Sequence, residues 1–309
     1  MKNLSVLIPT FNDRCTTLVT MLHEQAEALG IGYEIIVADD GSTDKAVVEE
    51  NRQINALSYC RLIEQAENQG RAAIRNFLAQ QAAYSWLVFI DSDMVVCRED
   101  YVRRYAETAG AAIVDGGVVI GDIIPGNLRS LYEKAAEHEH TLEKRQQSPY
   151  QDFHTANFMI ERELMLQHPF DERFRYYGYE DVLFGKVLQQ AGIPITHIDN
   201  PLSFEVFEDN EAFVRKTEEG LRTLYTFREE LKGYSRLLDT MSHLPQAPLR
   251  LWHRLFGSLE RQNLISPHPS LLLFKLYKLG FFSQILQLLE QRTPSCLHVW
   301  LSRDRSQQS

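Results

Sequence analysis

Long apolar runs are missing from this chain. No stretch of 18 consecutive apolar residues occurs, so no transmembrane helix is expected. Met1-Lys2-Asn3-Leu4-Ser5 pass straight into a strand-like run and lack the charged, apolar and small-residue zones of a signal peptide. Cysteine is scarce. Cys15, Cys60, Cys97 and Cys296 stand far apart, form no CxxC and no zinc spacing, and read as free thiols in a reducing cytoplasm. Neither a GxGxxG nor a Walker pattern follows the first strand; Pro9-Thr10-Phe11-Asn12 stands there instead, so any nucleotide phosphates would not be held by a glycine-rich loop. Basic charge is short over most of the chain. Residues 1–210 hold 18 Lys and Arg against 33 Asp and Glu, a net of −15, which leaves no basic stripe for nucleic acid. Residues 211–309 reverse the sign, with 14 against 9 and a net of +5.

What is present suits a globular protein. The 309 residues, 44% hydrophobic and 24% charged, fit one large domain or one domain with an appendage. The most informative stretch is Trp86-Leu87-Val88-Phe89-Ile90, a continuous apolar run of strand length that enters Asp91-Ser92-Asp93 directly. Such a run reads as a strand buried on both faces. Its carboxyl end opens into the crevice where open α/β sheets bind ligands. Two carboxylates there repel each other unless a positive charge joins them. A divalent metal carrying a phosphate ester fits, because Mg²⁺ and Mn²⁺ take oxygen ligands. A strand-end turn with solvated acids is the alternative.

The same signature occurs earlier. Tyr33-Glu34-Ile35-Ile36-Val37-Ala38 ends in Asp39-Asp40-Gly41-Ser42, which reads either as a turn with a helix cap or as a carboxylate for a base N–H or ribose hydroxyls. Strands are expected at 4–8, where Pro9 stops the run, at 33–38, 59–63 and 86–90. Helices are expected at 15–29, from Lys45 and from Arg71 through Ala82. Strand and helix alternating with short connections predict a parallel sheet wound with helices. Arg71 and Arg75 share a helix face beside the crevice, either as a solvated basic face or as phosphate or base contacts.

Four of these segments, in this order and spacing, resemble the family 2 glycosyltransferases of GT-A fold: 5–12 (Ser-Val-Leu-Ile-Pro-Thr-Phe-Asn), 34–44, Asn68-Gln69-Gly70-Arg71 through Asn76, and Asp91-Ser92-Asp93. The resemblance implies a Rossmann-like α/β domain with a mainly parallel central sheet, a nucleotide-sugar donor (most often a UDP-sugar) and a divalent metal, Mn²⁺ or Mg²⁺. It implies that Pro9, Thr10 and Phe11 line the nucleobase pocket, with Asp39 or Asp40 on the base and Asn68 and Arg71 beside the nucleotide. Asp91 would meet the ribose, Ser92 would stand with it, and Asp93 together with Asp91 would meet the metal.

Beyond residue 95, strand segments are expected at 111–114, 116–120, 153–160 and 193–198, and a charged helix over 128–145. Glu133, Glu137, His138, His140 and Glu143 fall on that helix as a solvated face or a metal site. A long aromatic loop from Phe170 ends in Glu180-Asp181 at a helix start, where acids also serve as caps. Inversion at an anomeric carbon needs a base on the acceptor hydroxyl, and a carboxylate can act as that base. Gly178-Tyr179-Glu180-Asp181 resembles the family's acidic pair. That match implies Asp181 as base, Glu180 orienting it or binding acceptor, Tyr176, Tyr177 and Tyr179 stacking on sugar rings, and His154 and Asn157 at the donor sugar. Some relatives place a metal-binding histidine further on. Phe204 stands where it would be expected, which leaves His197 as the candidate ligand, or as a buried structural histidine.

The expected domains are 1–209 for the glycosyltransferase fold and 210–309 for a helical C-terminal extension. Within the extension, Leu271 to Phe282 is apolar but too short to span a bilayer, and 245–309 either packs on the domain or makes peripheral membrane contact. The function these features imply is inverting, metal-assisted transfer of a hexosyl or N-acetylhexosaminyl group to a glycan or lipid-linked acceptor. The family resemblance alone implies the place, polysaccharide biosynthesis at the cytoplasmic face of a membrane. A nucleotidyltransferase making nucleotide-sugars and a non-catalytic sugar-nucleotide binder are the alternatives. Oligomeric state is not legible.

Overall fold

The computed structural model describes residues 1–108 and 110–290; Cys296 and the rest of the tail beyond 290 lie outside the described residues. The described chain falls into two units. The first comprises Met1–Ile123, Glu133–Arg175 and Glu180–Val206; the second comprises Ile124–Tyr132, Tyr176–Tyr179 and the chain from Phe207 on.

The first unit begins as the alternation predicts: β1 (Leu4–Thr10), α1 (Thr16–Leu29), β2 (Tyr33–Asp39), α2 (Lys45–Asn51), β3 (Cys60–Glu64), α3 (Arg71–Gln81) and β4 (Trp86–Ile90). Then follow β5 (Met94–Val95), α4 (Tyr101–Glu107), β6 (Ile113–Asp115) and β7 (Val118–Ile120). After α5 (Leu128–Ala136), whose residues up to Tyr132 belong to the second unit, and α6 (Leu142–Gln147) come β8 (Asn157–Glu161), α7 (Arg162–Gln167), α8 (Glu180–Gln190), β9 (Ile195–His197) and β10 (Leu202–Phe204). Seven strands form one sheet in the order β3-β2-β1-β4-β8-β6-β9. Only β8 runs antiparallel to its neighbours. The central strands are buried on both faces, as their unbroken apolar runs require: Leu7, Ile8, Ile35, Ile36, Val37, Leu87, Phe89 and Ile90 expose none of their surface.

Because β8 alone is reversed, the carboxyl ends of β1, β2, β4, β6 and β9 and the amino end of β8 share one edge. The ladders align them: Thr10 with Asp39, Ile90 with Asn157, Asp115 with Phe158 and Asp115 with His197. The candidate residues expected at these strand ends therefore lie along the same edge of the sheet.

Three local expectations are corrected. Strand β1 continues through Pro9 to Thr10, where Pro9 pairs with Ala38 of β2. The β4 ladder on its other side ends at Leu7 with Phe89, so the missing N–H of proline interrupts no ladder on the β4 side. The strand expected at 153–160 starts only at Asn157. The helix expected over 128–145 is broken between Ala136 and Leu142. There Lys134 donates to the carbonyl of Ile120 and Glu137 accepts from its N–H, which stitches the segment to β7. A three-stranded sheet β5-β10-β7 was not anticipated, because strands of two or three residues carry no periodic signal.

The second unit is helical: α9 (Asn210–Thr226), α10 (Arg236–His243), α11 (Gln246–Leu264) and α12 (Leu271–Glu290). Asp209 caps α9 by accepting from Ala212 N. Its core joins Leu128, Phe213, Val214, Leu264, Phe274 and Tyr277. Among the described residues one helix, α12, is long and apolar enough to cross a membrane by length and composition, with a mean hydropathy of 1.2 over Leu271–Leu288. This revises the expectation drawn from 271–282, because the helix runs on through Ile285 and Leu286. Phe274, Tyr277, Phe282 and Ile285 are buried.

Candidate active site

Two loops at the ends of β1 and β2 are tied together by Asn12. Its backbone sits at φ +57°, its side-chain oxygen accepts from Thr43 N and Asp44 N, and its own N–H donates to Ser42 Oγ. Asp39 Oδ1 accepts from Ser42 N at 2.9 Å. Asp40 uses both oxygens, Oδ1 on Gln69 N at 2.8 Å and Oδ2 on Gly70 N at 2.9 Å. Burial pushes the Asp40 carboxyl above the usual carboxylate range, and those two N–H donors oppose the rise. Asp40 thus holds the turn before α3. Gly41 is required here: at φ +73°, a Cβ would sit 2.7 Å from the Glu67 carbonyl carbon. Phe11 projects from the end of β1 with 42% of its surface exposed, beside the buried Thr10 and half-buried Pro9. Asn68 is half-buried in the turn before α3.

Helix α3 delivers two arginines to Asp91. Arg71 Nη2 lies 3.2 Å from Asp91 Oδ2, and Arg75 Nη2 lies 2.5 Å from Asp91 Oδ1. Arg75 is 1% exposed, and its other terminal nitrogen lies 3.7 Å from Glu180 Oε1 at the start of α8. One buried guanidinium therefore stands between the carboxylate that ends β4 and the acidic pair that opens α8. Ser92 Oγ donates to Asp13 Oδ2 at 3.1 Å, and Asp93 follows in the half-buried turn into β5.

Glu180 is buried and Asp181 half-buried. Both carboxyls are pushed above the usual range, Glu180 by burial and then by the charge of Asp181, Asp181 by burial. Arg71 and Arg75 oppose the shift in both. The tyrosines expected as sugar-stacking residues belong to the second unit. There Tyr177 N donates to Glu219 Oε1 at 3.2 Å, and Lys216 Nζ lies 4.7 Å from the Tyr177 ring centre.

A second buried cluster lies further along the same edge. Asp115 Oδ1 accepts from Gly117 N at 2.7 Å and from Arg145 Nη1 at 2.9 Å, while Oδ2 accepts from His154 N at 3.1 Å. His197, expected as a metal ligand, has both ring nitrogens engaged by protein atoms. Nδ1 faces Arg145 Nη1 at 3.1 Å and Nε2 faces the Pro149 carbonyl at 2.9 Å. Burial holds the His197 imidazole below the usual histidine range. Asn157 is equally committed: its oxygen accepts from the hydroxyls of Tyr101 and Tyr105, and its nitrogen donates to the carbonyls of Gly117 and Asn200. Asp115 carried a legible signal, an apolar run closed by an aspartate as at Asp39 and Asp91. Arg145 carried none.

Among the described residues, no group of three or more His, Cys, Asp or Glu is arranged to hold a metal ion. Asp91 and Asp93 are hard oxygen donors, and the charge of Asp91 is already offset by two arginines. Such a set fits a Mg²⁺ or Mn²⁺ ion that arrives with a diphosphate supplying further oxygens, as Mg²⁺ commonly does.

Comparison with known proteins identifies the family and the fold. The sequence profile described as glycosyl transferase family 2 matches residues 5–168. An uncharacterized glycosyltransferase of Haemophilus influenzae is 29% identical over 107 residues, 34% of this chain and 41% of that protein. Chondroitin synthase of Pasteurella multocida is 24% identical over 284 residues, 80% of this chain and 29% of that one. The chain thus spans less than half the length of either relative. A mannosyltransferase from Pyrobaculum calidifontis, solved with GDP-Man and Mn²⁺, superposes with a TM-score of 0.53 over 94% of this chain and 88% of that one at 14% identity. The likeness extends the shared fold beyond the matched profile.

Proposed function

We propose that this chain, which belongs to glycosyl transferase family 2, moves a sugar from a nucleotide-sugar donor, a UDP-sugar, to a hydroxyl of a glycan or lipid-linked acceptor with inversion at the anomeric carbon. The observation that carries the reading is Arg75, a buried cation shared between Asp91 and Glu180. It ties the leaving-group side of the crevice to the side where a base is needed.

In this reading Phe11, flanked by Pro9 and Thr10, offers a ring face to the nucleobase. Asp39 takes the base N–H, because both oxygens of Asp40 are spent on Gln69 and Gly70. Asn68, Asp91 and Ser92 stand at the nucleoside, and Arg71, with 41% of its side chain exposed, faces the phosphates. Asp181 accepts the proton of the acceptor hydroxyl. The acceptor oxygen then forms its bond to the anomeric carbon as the carbon–oxygen bond to the diphosphate breaks, and the diphosphate departs with the electron pair. Glu180, held near Arg75, positions Asp181. Asp93 with Asp91 would hold Mn²⁺ or Mg²⁺, which when bound offsets charge on the leaving diphosphate. His197 is left out of that set because its ring nitrogens are engaged elsewhere.

The domain assignment, 1–209 catalytic and 210–309 a helical extension, is part of the proposal. So are a cytoplasmic location, in keeping with free thiols at Cys15, Cys60 and Cys97, and peripheral membrane contact through 245–309. The deciding assay follows UDP release from UDP-sugars with Mn²⁺ for the wild type and Asp181→Asn. Turnover by the wild type and its loss in the variant support the reading. Binding of UDP-sugars without any turnover points to a non-catalytic binder.

A further inference from the structure

Helix α11 carries apolar side chains on the side away from its own unit. Gly257 and Leu264 are buried. Leu251, Leu255 and Leu259, spaced by four, keep 58%, 61% and 61% of their surface exposed, with Trp252 and Phe256 beside them at 43% and 39%. Residues four apart line one helix face. The five form a continuous stripe, about 12 Å long at the helical rise. Surface helices of soluble domains present polar residues there, and a contiguous exposed apolar patch marks a surface that something covers.

Charge says what covers it. The only acid on α11 is Glu260, which is 3% exposed, accepts from Trp252 Nε1 at 2.7 Å and faces His253 Nδ1 at 3.6 Å. Arg261 is paired with Glu218 and Glu211. Arg250 and Arg254 border the stripe and have no ion-pair partner among the described residues; Arg254 is exposed. Two copies docked through this face would bring these arginines together. An anionic surface would neutralise them.

We propose that this face of α11 docks on an anionic lipid surface. Leu251, Trp252, Leu255, Phe256 and Leu259 enter the boundary between headgroups and acyl chains, and Arg250 and Arg254 meet lipid phosphates. The inference rests on the assignment of membrane contact to 245–309 and sharpens it. The sequence singled out 271–282 as the apolar segment, but Phe274, Tyr277 and Phe282 are buried, which moves the contact to α11. It does not depend on the transferase reading.

The test is co-sedimentation of the full chain with vesicles of phosphatidylcholine alone and of phosphatidylcholine mixed with phosphatidylglycerol. Wild type is expected to bind the mixed vesicles and to bind neutral ones weakly. Leu255→Ser/Leu259→Ser should abolish binding, and Arg250→Gln/Arg254→Gln should weaken it about thirtyfold on mixed vesicles. Circular dichroism should show both variants folded, since Leu255, Leu259 and Arg254 are exposed and Arg250 is half-buried. Failure of the wild type to sediment with mixed vesicles overturns the proposal, as does equal binding by the variants. So does a concentration-dependent dimer, lost in the leucine variant, without vesicle binding; that result would make a second copy the occupant. UDP release measured in solution reports on the transferase reading separately.

Discussion

Arg75 Nη2 lies 2.5 Å from Asp91 Oδ1, with 1% of the Arg75 side chain and 13% of the Asp91 side chain exposed. Removing one partner of a buried ion pair leaves an uncompensated charge, which costs about 3–5 kcal/mol. Arg75→Leu is expected to lower stability by that order in chemical denaturation. Arg75→Leu/Asp91→Asn should recover part of it, because the pair is then removed as a unit. An additive double variant would show that Arg75 is held chiefly by Glu180 and the Phe170 ring, whose centre is 5.7 Å away.

The acidic pair sets the pH response. Burial raises both carboxyls, so between their ordinary range and the raised folded values the native state holds more protons than the unfolded chain. Stability contributed by the pair is therefore present at low pH and falls as pH rises through the folded values. Asp181→Asn removes a charge that burial disfavours, so its melting temperature at neutral pH should equal or exceed that of the wild type. Its turnover should fall about 10²- to 10⁴-fold, the usual contribution of a general base. The acid limb of the wild-type pH–rate profile should lie above the ordinary carboxylate range.

Gly41 offers a backbone test at the other end of the crevice. Alanine there must keep φ +73° and place its Cβ 2.7 Å from the Glu67 carbonyl carbon. Gly41→Ala should cost about 1–3 kcal/mol. It should also weaken UDP binding measured by calorimetry, since the displaced segment carries Asn68 and leads into Arg71. Unchanged affinity in a destabilised variant would separate the turn from the nucleotide.

Two of the candidate metal ligands, Asp93 and His197, make opposite predictions. Asp93→Asn should raise the Mn²⁺ concentration needed for half-maximal turnover, whereas His197→Ala should leave it unchanged. A large shift in the histidine variant would mean that the imidazole leaves the Pro149 carbonyl and Arg145 when donor binds.

Much of this site was legible as a pattern. Apolar runs closed by aspartates gave Asp39, Asp40 and Asp91, and the reversal of β8 brings those ends together with Asp115 and His197. What the pattern could not supply was the partner of each acid. Whether Arg75 faces solvent or the crevice depends on how α3 packs, and the spacing from Arg71 is the same in both cases. Asn157 and His197 were placed near the right edge, but their side chains are consumed by Tyr101, Tyr105 and Arg145 through contacts distant in sequence. The small sheet and the break after Ala136 escaped for a related reason, since both follow from a few contacts between residues distant in sequence.

The antiparallel entry of β8 also bears on how the chain is made. Strands β1, β2 and β3 find one another within the first 64 residues, so three of the seven strands can pair while translation continues. Strand β4 can add to β1 next. Asp115 leaves the ribosome well before Arg145 and His197, and Arg75 well before Glu180. The edge is completed from the nucleotide side outward. Until the last of these residues emerges the charges stay hydrated, so the buried ion pairs of the edge form only once the chain through β9 is complete.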